Sequence, residues 1–253
     1  MNYLKKVYEN IDIREGICVL EDYLFEIYMT DKTSNKKLAR KLSLPIPIVV
    51  AIKNEFIKLD ILVQDKGIKM TQKGRKYVEN NLGYNCSNEK LLNKISNNNV
   101  DIQKDFYREL NYLKEIFDNR PGVNVTIDQS KCTPETSLKR AILCLKNKTL
   151  IGKKVLCLGD DDLVSISLGL LLKRLNFNTK KNKTEIIVLD IDERFINYIR
   201  EISLKRDLNI TTIEHDLRFS IPSDLINIFD CFFVDPPYTL SGLKLFLSRG
   251  LTA

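Results

Sequence analysis

Three consecutive aspartates, Asp160, Asp161 and Asp162, follow a short apolar run and a glycine in the second half of the chain. The run 155–158 predicts a buried strand, Gly159 a tight turn, and the residues after it a helix that begins near Asp162. Phosphate-binding turns are rich in glycine, because backbone N–H groups must approach the anion. Asp162 could simply be an N-cap, but three carboxylates exceed what capping needs. The turn therefore predicts a site built for a cation.

A second predicted strand, residues 185–189, also ends in acidic residues. Asp190 stands where sheets of this kind bind ribose hydroxyls, since one carboxylate accepts two hydrogen bonds at once. Asp192 could contact the same ligand or cap the helix predicted over 193–204, and we favour capping.

The third strand, residues 210–214, is followed by His215 and Asp216. A side-chain acceptor at this position can take the amino group of adenine, so Asp216 is the candidate. For His215 we favour an ordinary polar strand end.

The fourth strand, residues 230–234, leads into Asp235-Pro236-Pro237-Tyr238. Two prolines lock the loop so that the Asp235 side chain and a backbone carbonyl face the cleft beyond the strand ends. Tyr238 supplies a hydroxyl and a flat face for a cation or an adenine. We favour chemistry on a nitrogen atom over a rigid turn without further role.

These carboxylates share one edge of the predicted sheet, although the protein has a net charge of +7. An acidic cleft disfavours phosphate and favours a polyamine. It would repel the carboxylate of S-adenosylmethionine and attract the ammonium group of the decarboxylated form, so aminopropyl transfer is favoured over methyl transfer. The seven aspartates are Asp160, Asp161, Asp162, Asp190, Asp192, Asp216 and Asp235.

Alternating strands and helices over residues 128–253 predict an α/β fold with a Rossmann-like sheet of the class I methyltransferase type. The sheet is incomplete at its C-terminal side, because about three further strands are usual, so we expect a C-terminally truncated chain with an apolar edge strand. Residues 83–127 are predicted as a linker and connecting helix.

Residues 1–82 predict three helices followed by a small β-hairpin, which is the outline of a winged helix. One interpretation is DNA binding through the helix at 48–59, which presents Lys53, Asn54 and Lys58. We favour the other, in which the domain serves dimerisation or lines a neighbouring site. The net charge of this segment is +4, which a solvated surface explains as well as nucleic acid does.

Composition excludes several classes of protein. No apolar run approaches the ~20 residues of a membrane span, and the first residues lack the apolar stretch of a signal peptide, so a cytoplasmic protein is expected. Six cysteines without a Cys-x-x-Cys pair argue against a zinc site, and the single histidine excludes a multi-histidine site. No metal is expected.

Taken in order, these motifs resemble the branched-chain polyamine synthases, the N4-bis(aminopropyl)spermidine synthases of thermophilic archaea and bacteria. The resemblance covers about half of the chain. It rests on Asp128-Gln129, Thr133-Pro134-Glu135-Thr136, Gly159-Asp160-Asp161-Asp162-Leu163, Asp190-Ile191-Asp192-Glu193-Arg194, His215-Asp216-Leu217-Arg218, Asp235-Pro236-Pro237-Tyr238-Thr239, Gly242 and Leu245-Phe246-Leu247-Ser248-Arg249-Gly250.

The resemblance implies transfer of aminopropyl groups from decarboxylated S-adenosylmethionine to N4 of spermidine, with release of methylthioadenosine. Asp161 and Asp235 would hold N4 and accept its proton, and Tyr238 would line the reacting centre. A homodimer is also expected. The donor would be bound by Gly159, Asp160, Asp190, Asp216 and Gln129, and the polyamine by Asp160, Asp162, Glu135, Pro236 and Pro237.

Two other functions remain open. One is an S-adenosylmethionine-dependent methyltransferase acting on the amino group of adenine in DNA or RNA, although that class usually has a glycine-rich turn where Asp160–Asp162 stand. The other is a non-enzymatic DNA-binding regulator that senses polyamines through a degenerate sheet.

Overall fold

A computed structural model of the chain describes residues 2–11, 13–30, 32–175 and 183–253. Two compact units divide the chain, Met1–Asn85 and Cys86–Ala253. In the part of the chain that is described, no helix is long and apolar enough to cross a membrane.

The described residues of the first unit form five helices and one hairpin. Its elements are α1 (Tyr3–Asn10), α2 (Cys18–Tyr28), α3 (Asn35–Leu42), α4 (Ile46–Lys58), β1 (Leu62–Gln64), β2 (Ile68–Met70) and α5 (Gln72–Asn81). The strands β1 and β2 are antiparallel. The helix α1 was not predicted, and α4 begins two residues earlier than expected, because Pro47 is accommodated in its first turn.

Short polar side chains set the beginnings of two of these helices. Ser34 accepts a hydrogen bond from Lys37 N at the start of α3. Thr71 does the same for Gly74 N at the start of α5. The buried ring of Tyr23 on α2 stacks against Phe56 on α4, and its hydroxyl donates to Val49 O at 3.3 Å, which ties α2 to α4.

The second unit is an α/β structure. Its helices are α6 (Glu89–Ser96), α7 (Ile102–Asp105), α8 (Tyr107–Asn119), α9 (Pro134–Lys146), α10 (Val164–Arg174), α11 (Glu193–Arg206) and α12 (Leu240–Thr252), and its strands are β3 (Lys154–Leu158), β4 (Glu185–Asp190), β5 (Ile210–Glu214) and β6 (Cys231–Val234). All three strand pairings are parallel, which confirms the predicted α/β class.

The sheet order is β5-β4-β3-β6. Leu158 pairs in register with Leu189 on one side and with Val234 on the other. Asp190 pairs with Glu214. The four carboxyl ends therefore lie side by side, and the loops that follow them open on one edge of the sheet.

The core of this unit lies on both faces of the sheet. α10 is buried along most of its length, from Val164 to Leu172. A cluster of Leu156, Leu158, Leu189 and Leu217 continues the core behind the carboxyl edge. The turns that carry the aspartates therefore rest on a packed apolar base.

Candidate active site

The turn after β3 requires glycine. Gly159 has φ +72°, and a Cβ there would lie 3.3 Å from Asp235 O and 3.4 Å from Phe246 Cε1. Its N–H donates to Leu189 O at 2.9 Å, which ties the turn to the neighbouring strand. The loop after β6 can therefore approach the turn after β3 closely.

Asp160 caps the helix that follows the turn. Its Oδ1 accepts from Val164 N at 2.7 Å, and its Oδ2 accepts from Ser165 N at 3.2 Å. Burial raises the pKa of this carboxyl well above its ordinary value. The helix α10 begins at Val164, two residues after the predicted start near Asp162, and Leu163 with φ 51° occupies the N-cap position.

Asp161 is buried at the mouth of the cleft, and among the described residues its carboxylate accepts one hydrogen bond. Oδ2 accepts from Ser130 N at 3.2 Å. Its backbone carbonyl accepts from the Arg120 guanidinium at 3.1 Å. Burial, followed by repulsion from Asp162 and Asp190, raises the pKa of Asp161 to about 6.

Asp162 is held by two partners from one preceding segment. Cys132 N donates to Oδ1 at 2.8 Å, and Arg140 donates to Oδ2 at 2.5 Å. Burial alone would raise the pKa of Asp162, but the hydrogen bonds from Cys132 and Arg140 outweigh it and hold the pKa below its ordinary value. Asp162 therefore stays ionised as half of an ion pair.

Asp235 meets these two aspartates from the other side of the turn. Carboxylate oxygens of Asp161, Asp162 and Asp235 lie within 4.8 Å of one another. Oδ2 of Asp235 is buried and has no hydrogen-bond partner among the described residues. Burial, then repulsion from Asp162 and Asp161, raises the pKa of Asp235 to about 7. Such a group can take a proton near neutral pH, and the three carboxylates together could hold an organic or metal cation.

Asp190 connects the first two turns. Its Oδ2 accepts from Asp160 N at 2.9 Å, and its Oδ1 accepts from Asp192 N at 2.8 Å. Burial raises its pKa. Each oxygen keeps a second lone pair, so the carboxylate can still accept from a ligand hydroxyl.

A cavity of about 320 Å³ opens beside these residues. It is lined by Ile127, Asp128, Gln129, Ser130, Gly159, Asp161, Asp190, Ile191, His215, Asp216, Leu217, Arg218, Asp235, Pro237, Leu245 and Phe246. A smaller cavity of about 140 Å³ lies on the other side of the turn, against Arg140, Asp160, Asp162, Phe233 and Val234. Gly159 and Asp235 border both cavities.

Comparison with known proteins agrees with this geometry. The family model described as the branched-chain polyamine synthase A C-terminal domain matches residues 109–253, more than half of the chain. The chain belongs to this family.

Curated relatives extend the similarity beyond that domain. The N(4)-bis(aminopropyl)spermidine synthase of Methanocaldococcus jannaschii is 30% identical over 99% of this chain and 69% of its own length. An uncharacterised protein of the same organism is 39% identical over 99% of this chain and 62% of its own length. The synthase of Thermococcus kodakarensis is 33% identical over 82% of this chain and 56% of its own length. The chain therefore spans between about half and two thirds of these relatives.

A solved structure shares the fold. The branched-chain polyamine synthase of Thermus thermophilus, in complex with N4-aminopropylspermidine and 5′-methylthioadenosine, superposes with a TM-score of 0.50 at 23% identity. The match covers 99% of this chain and 67% of that one.

Several predicted site residues of this family member line the larger cavity. They are Gly159, Asp161, Asp190, Asp216, Asp235, Pro237 and Gln129. Gln129 accepts from Asn124 N at 2.7 Å and donates to Asp192 at 3.0 Å, so it also ties the connecting segment to β4. Asp192 caps α11 through Arg194 N, as predicted.

Other predicted site residues lie elsewhere. Tyr238 is 81% exposed and is not among the residues that line the cavity, because Pro237 turns the chain outward before it. Glu135 lies 3.9 Å from Lys114 Nζ, in the first turn of α9. Pro236 and Glu135 line neither cavity, and Asp160 and Asp162 border only the smaller one.

Two arginines at the site carried no sequence signal of their own, and the contact made by Asp128, which belongs to the motifs of the resemblance, was not predicted. Arg120 and Arg140 reach the aspartates from α8 and α9. Asp128 accepts from Tyr238 N at 2.6 Å and so fixes the loop after β6. An arginine on a helix is ordinary in sequence, so only the tertiary contacts reveal these roles.

His215 and Asp216 stand at the end of β5. Hydrogen bonds from Arg218 hold the pKa of Asp216 below its ordinary value. His215 lines the cavity, and its Nε2 is buried with no hydrogen-bond partner among the described residues. His215 could therefore offer a polar contact to a ligand, whereas from the sequence we favoured an ordinary polar strand end for this residue.

Proposed function

We propose that this domain binds decarboxylated S-adenosylmethionine and spermidine and transfers aminopropyl groups to N4 of spermidine. The products would be branched polyamines and methylthioadenosine. The observation that carries the proposal is the Asp161–Asp235 pair at the edge of a nucleoside-sized cavity, in which Asp161 is buried, Asp235 is half-buried and both carboxyls have raised pKa values. The names of the relatives and the ligands of the Thermus thermophilus enzyme support it.

The larger cavity suits the nucleoside of the donor. Asp190 lies at the ribose position beyond β4. Ile191, Leu217 and Phe246 give apolar walls for the adenine, and Asp216 stands beside them as an acceptor for its amino group. The sulfonium would then lie toward Gly159, near the carboxylates.

The charge around the sulfonium favours the decarboxylated donor. Asp161 lines the same cavity and is largely ionised at neutral pH, since its pKa is about 6. It would repel the carboxylate of S-adenosylmethionine and attract the terminal ammonium of the decarboxylated form. Arg140 already neutralises Asp162, so the free charge for substrates comes from Asp161 and Asp235.

The chemical step is a direct displacement. Spermidine binds as a cation, and N4 must lose a proton before its lone pair can attack. Asp235 accepts that proton, because its pKa of about 7 matches the working pH of a general base. The lone pair then forms the N–C bond to the methylene beside sulfur, and the C–S bond electrons leave on sulfur as neutral methylthioadenosine.

Positioning supplies most of the remaining rate. Asp161 holds the amine while the adenosyl group is fixed in the cavity, so the two reactants meet within one site. Before a second transfer the new tertiary ammonium must also lose its proton, which Asp235 can accept, and the attack of the tertiary amine then yields a quaternary ammonium with no N–H proton left. Ionised Asp161 and Asp235 would stabilise that product.

Mass spectrometry tests the proposal. The chain, extended to the length of its relatives, is incubated with spermidine and either decarboxylated or ordinary S-adenosylmethionine. We expect mass increments of one and then two aminopropyl groups with the decarboxylated donor only. Methylation of spermidine or of added nucleic acid by the ordinary donor would instead support a methyltransferase and overturn the proposal.

We further propose that residues 1–82 form a winged-helix domain joined by the segment 83–127 to the catalytic domain 128–253. The helices α2, α3 and α4, followed by the antiparallel hairpin of β1 and β2, support that name. The proposal includes a homodimer acting in the cytoplasm. Sedimentation of the extended chain tests the dimer.

A further inference from the structure

The first unit carries a surface of unusual charge. Between residues 32 and 54 the sequence holds six cations and no carboxylate. Four of these cations lie on α3 itself, and they are Lys36, Lys37, Arg40 and Lys41. The expectation for DNA binding concerned α4, but the charge is concentrated on the helix before it.

The four cations of α3 all point outward. Leu38 and Ala39 are the buried residues of this helix, and the basic side chains are exposed. Together with Ser34 they line an open groove of about 410 Å³. A helix that buries its apolar face and lines a groove with cations presents a single-sign surface.

Among the described residues, most of the positive charge on α3 is not neutralised by ion pairs. Lys41 forms an ion pair with Glu26. No carboxylate forms an ion pair with Lys36, Lys37 or Arg40 among the described residues. Lys36 and Arg40, like Lys37 and Lys41, are four residues apart on the helix, where like charges repel. An external polyanion would relieve both repulsions.

The β-hairpin extends this surface. Thr33 and Ile68 exchange two backbone hydrogen bonds, of 3.1 and 2.9 Å, which bring β2 alongside the start of α3. The Lys32 side chain lies so close to Gly67 that a Cβ there would come within 2.6 Å of Lys32 Cε. Lys66 is exposed at the tip of the hairpin. Helix and hairpin thus form one basic surface, here called the α3–hairpin surface: Lys32, Lys36, Lys37, Arg40, Lys41 and Lys66.

We propose that the α3–hairpin surface binds the phosphate backbone of duplex DNA without sequence preference. A duplex carries one negative charge per ~1.7 Å of its axis, so it can face a helix and a hairpin at once. The start of α4 exposes Ile46 and Pro47, which cannot donate hydrogen bonds to base edges, so phosphate contacts dominate.

A membrane surface fits less well. Peripheral helices that bind lipid insert an apolar face below their cations. The apolar residues of α3 are Leu38 and Ala39, which are buried, and Leu42, which is half-buried. The helix therefore has no exposed apolar side chain to insert. This inference is independent of the aminopropyl transfer proposed above.

Binding of a labelled ~20-base-pair duplex tests the surface, measured by fluorescence anisotropy on the whole chain between 50 and 200 mM salt. The variant replaces Lys36, Lys37 and Arg40 by Gln. Its matched control replaces Lys5, Lys6 and Lys76, three exposed lysines of the same unit, by Gln. We expect the first variant to bind the duplex at least tenfold more weakly at 100 mM salt. The slope of log affinity against log salt should become less steep by about 3. The control should change by less than threefold.

A conservative variant separates charge from folding. Lys36→Arg with Lys37→Arg keeps both cations and should bind the duplex within about threefold of the unchanged protein. Equal binding by the Gln variant and its control would overturn the proposal. The proposal would also be overturned if the α3–hairpin surface bound vesicles containing phosphatidylserine and the protein did not bind the duplex.

Discussion

The Arg140 guanidinium donates to Oδ2 of Asp162 at 2.5 Å, and this ion pair makes Asp162 chemically different from the neighbouring carboxylates of the site. Asp162 becomes a paired anion, while Asp161 and Asp235 remain without a cationic partner among the described residues. The Arg140 guanidinium also lowers the pKa of the Asp235 carboxyl, although its ion pair is with Asp162.

Replacing Arg140 by Gln should move the acidic limb of the kcat/KM pH profile to higher pH, by about half to one unit. Asp162 would lose its counter-charge and repel ionised Asp235 more strongly. Arg140→Lys keeps a cation and should restore most of the profile, whereas Lys139→Gln, an exposed neighbour, should leave it unchanged. A profile unaltered by Arg140→Gln would contradict the role given to this ion pair.

Asp235→Asn should reduce kcat for the first aminopropyl transfer by about 10²- to 10⁴-fold, because an amide cannot accept the proton of N4. The control is Asp224→Asn, an exposed aspartate of the same unit, which should retain activity. The tertiary nitrogen of N4-aminopropylspermidine is also protonated near neutral pH, so transfer to this acceptor should fall to a similar extent. A loss of less than tenfold with spermidine would argue against the proton-accepting role.

Activity of the unmodified protein should rise with pH through the pKa of Asp235, about 7. In the folded protein the carboxyl must be ionised to act as a base, so kcat/KM falls tenfold per pH unit below that value. The profile for spermidine, measured between pH 5 and 9, checks this. A profile flat down to pH 5 would show that another group accepts the proton.

The raised pKa of Asp235 also predicts that the protein becomes less stable as the pH rises, whereas its activity increases. A carboxyl whose folded pKa is raised binds more protons in the folded than in the unfolded state between about pH 4 and 7, so the free energy of unfolding falls as pH rises through that range. Asp235→Asn removes this contribution. The variant should be more stable than the unmodified protein at pH 8, by on the order of 1 kcal/mol, and not at pH 4. Denaturant unfolding at both pH values measures it.

Asp128 should act on substrate affinity through the loop after β6. It has φ 59° and accepts from Tyr238 N at 2.6 Å. Asp128→Asn keeps an acceptor oxygen and tolerates this backbone, whereas Asp128→Gly keeps only the backbone. We expect the Gly variant to raise KM about tenfold and the Asn variant much less, since a hydrogen bond to a charged group contributes ~1.5–3 kcal/mol. Equal KM values in the two variants would show that the hydrogen bond is unimportant.

Gly159→Ala should destabilise the protein and reduce activity. The new Cβ would lie 3.3 Å from Asp235 O at a backbone φ of +72°, which costs ~1–2 kcal/mol in strain. Gly122→Ala is the control, because a Cβ there meets no heavy atom within 4 Å among the described residues. Thermal unfolding of both variants measures the difference.

Much of this site follows from general rules applied to the sequence. Apolar runs of four to six residues separated by helical segments predict parallel strands, and parallel strands place the residues that follow them at one edge. The positions of Asp190, Asp216 and Asp235 were found in this way. The predicted place of Tyr238 differed, because the direction of a side chain after two prolines depends on what holds the loop, here Asp128.

The sequence by itself determined which residues end the strands, that glycine must follow β3, and that carboxylates collect at one edge. These features depend on local periodicity and on the regular geometry of a parallel sheet. Only the tertiary structure decided how the three consecutive aspartates divide. Asp160 caps a helix, Asp162 pairs with Arg140, and Asp161 faces Asp235. Asp160 caps with residues four and five positions on, but Arg140 lies 22 residues from Asp162, and Ser130 and Asp235 lie 31 and 74 residues from Asp161, so these contacts are set by packing.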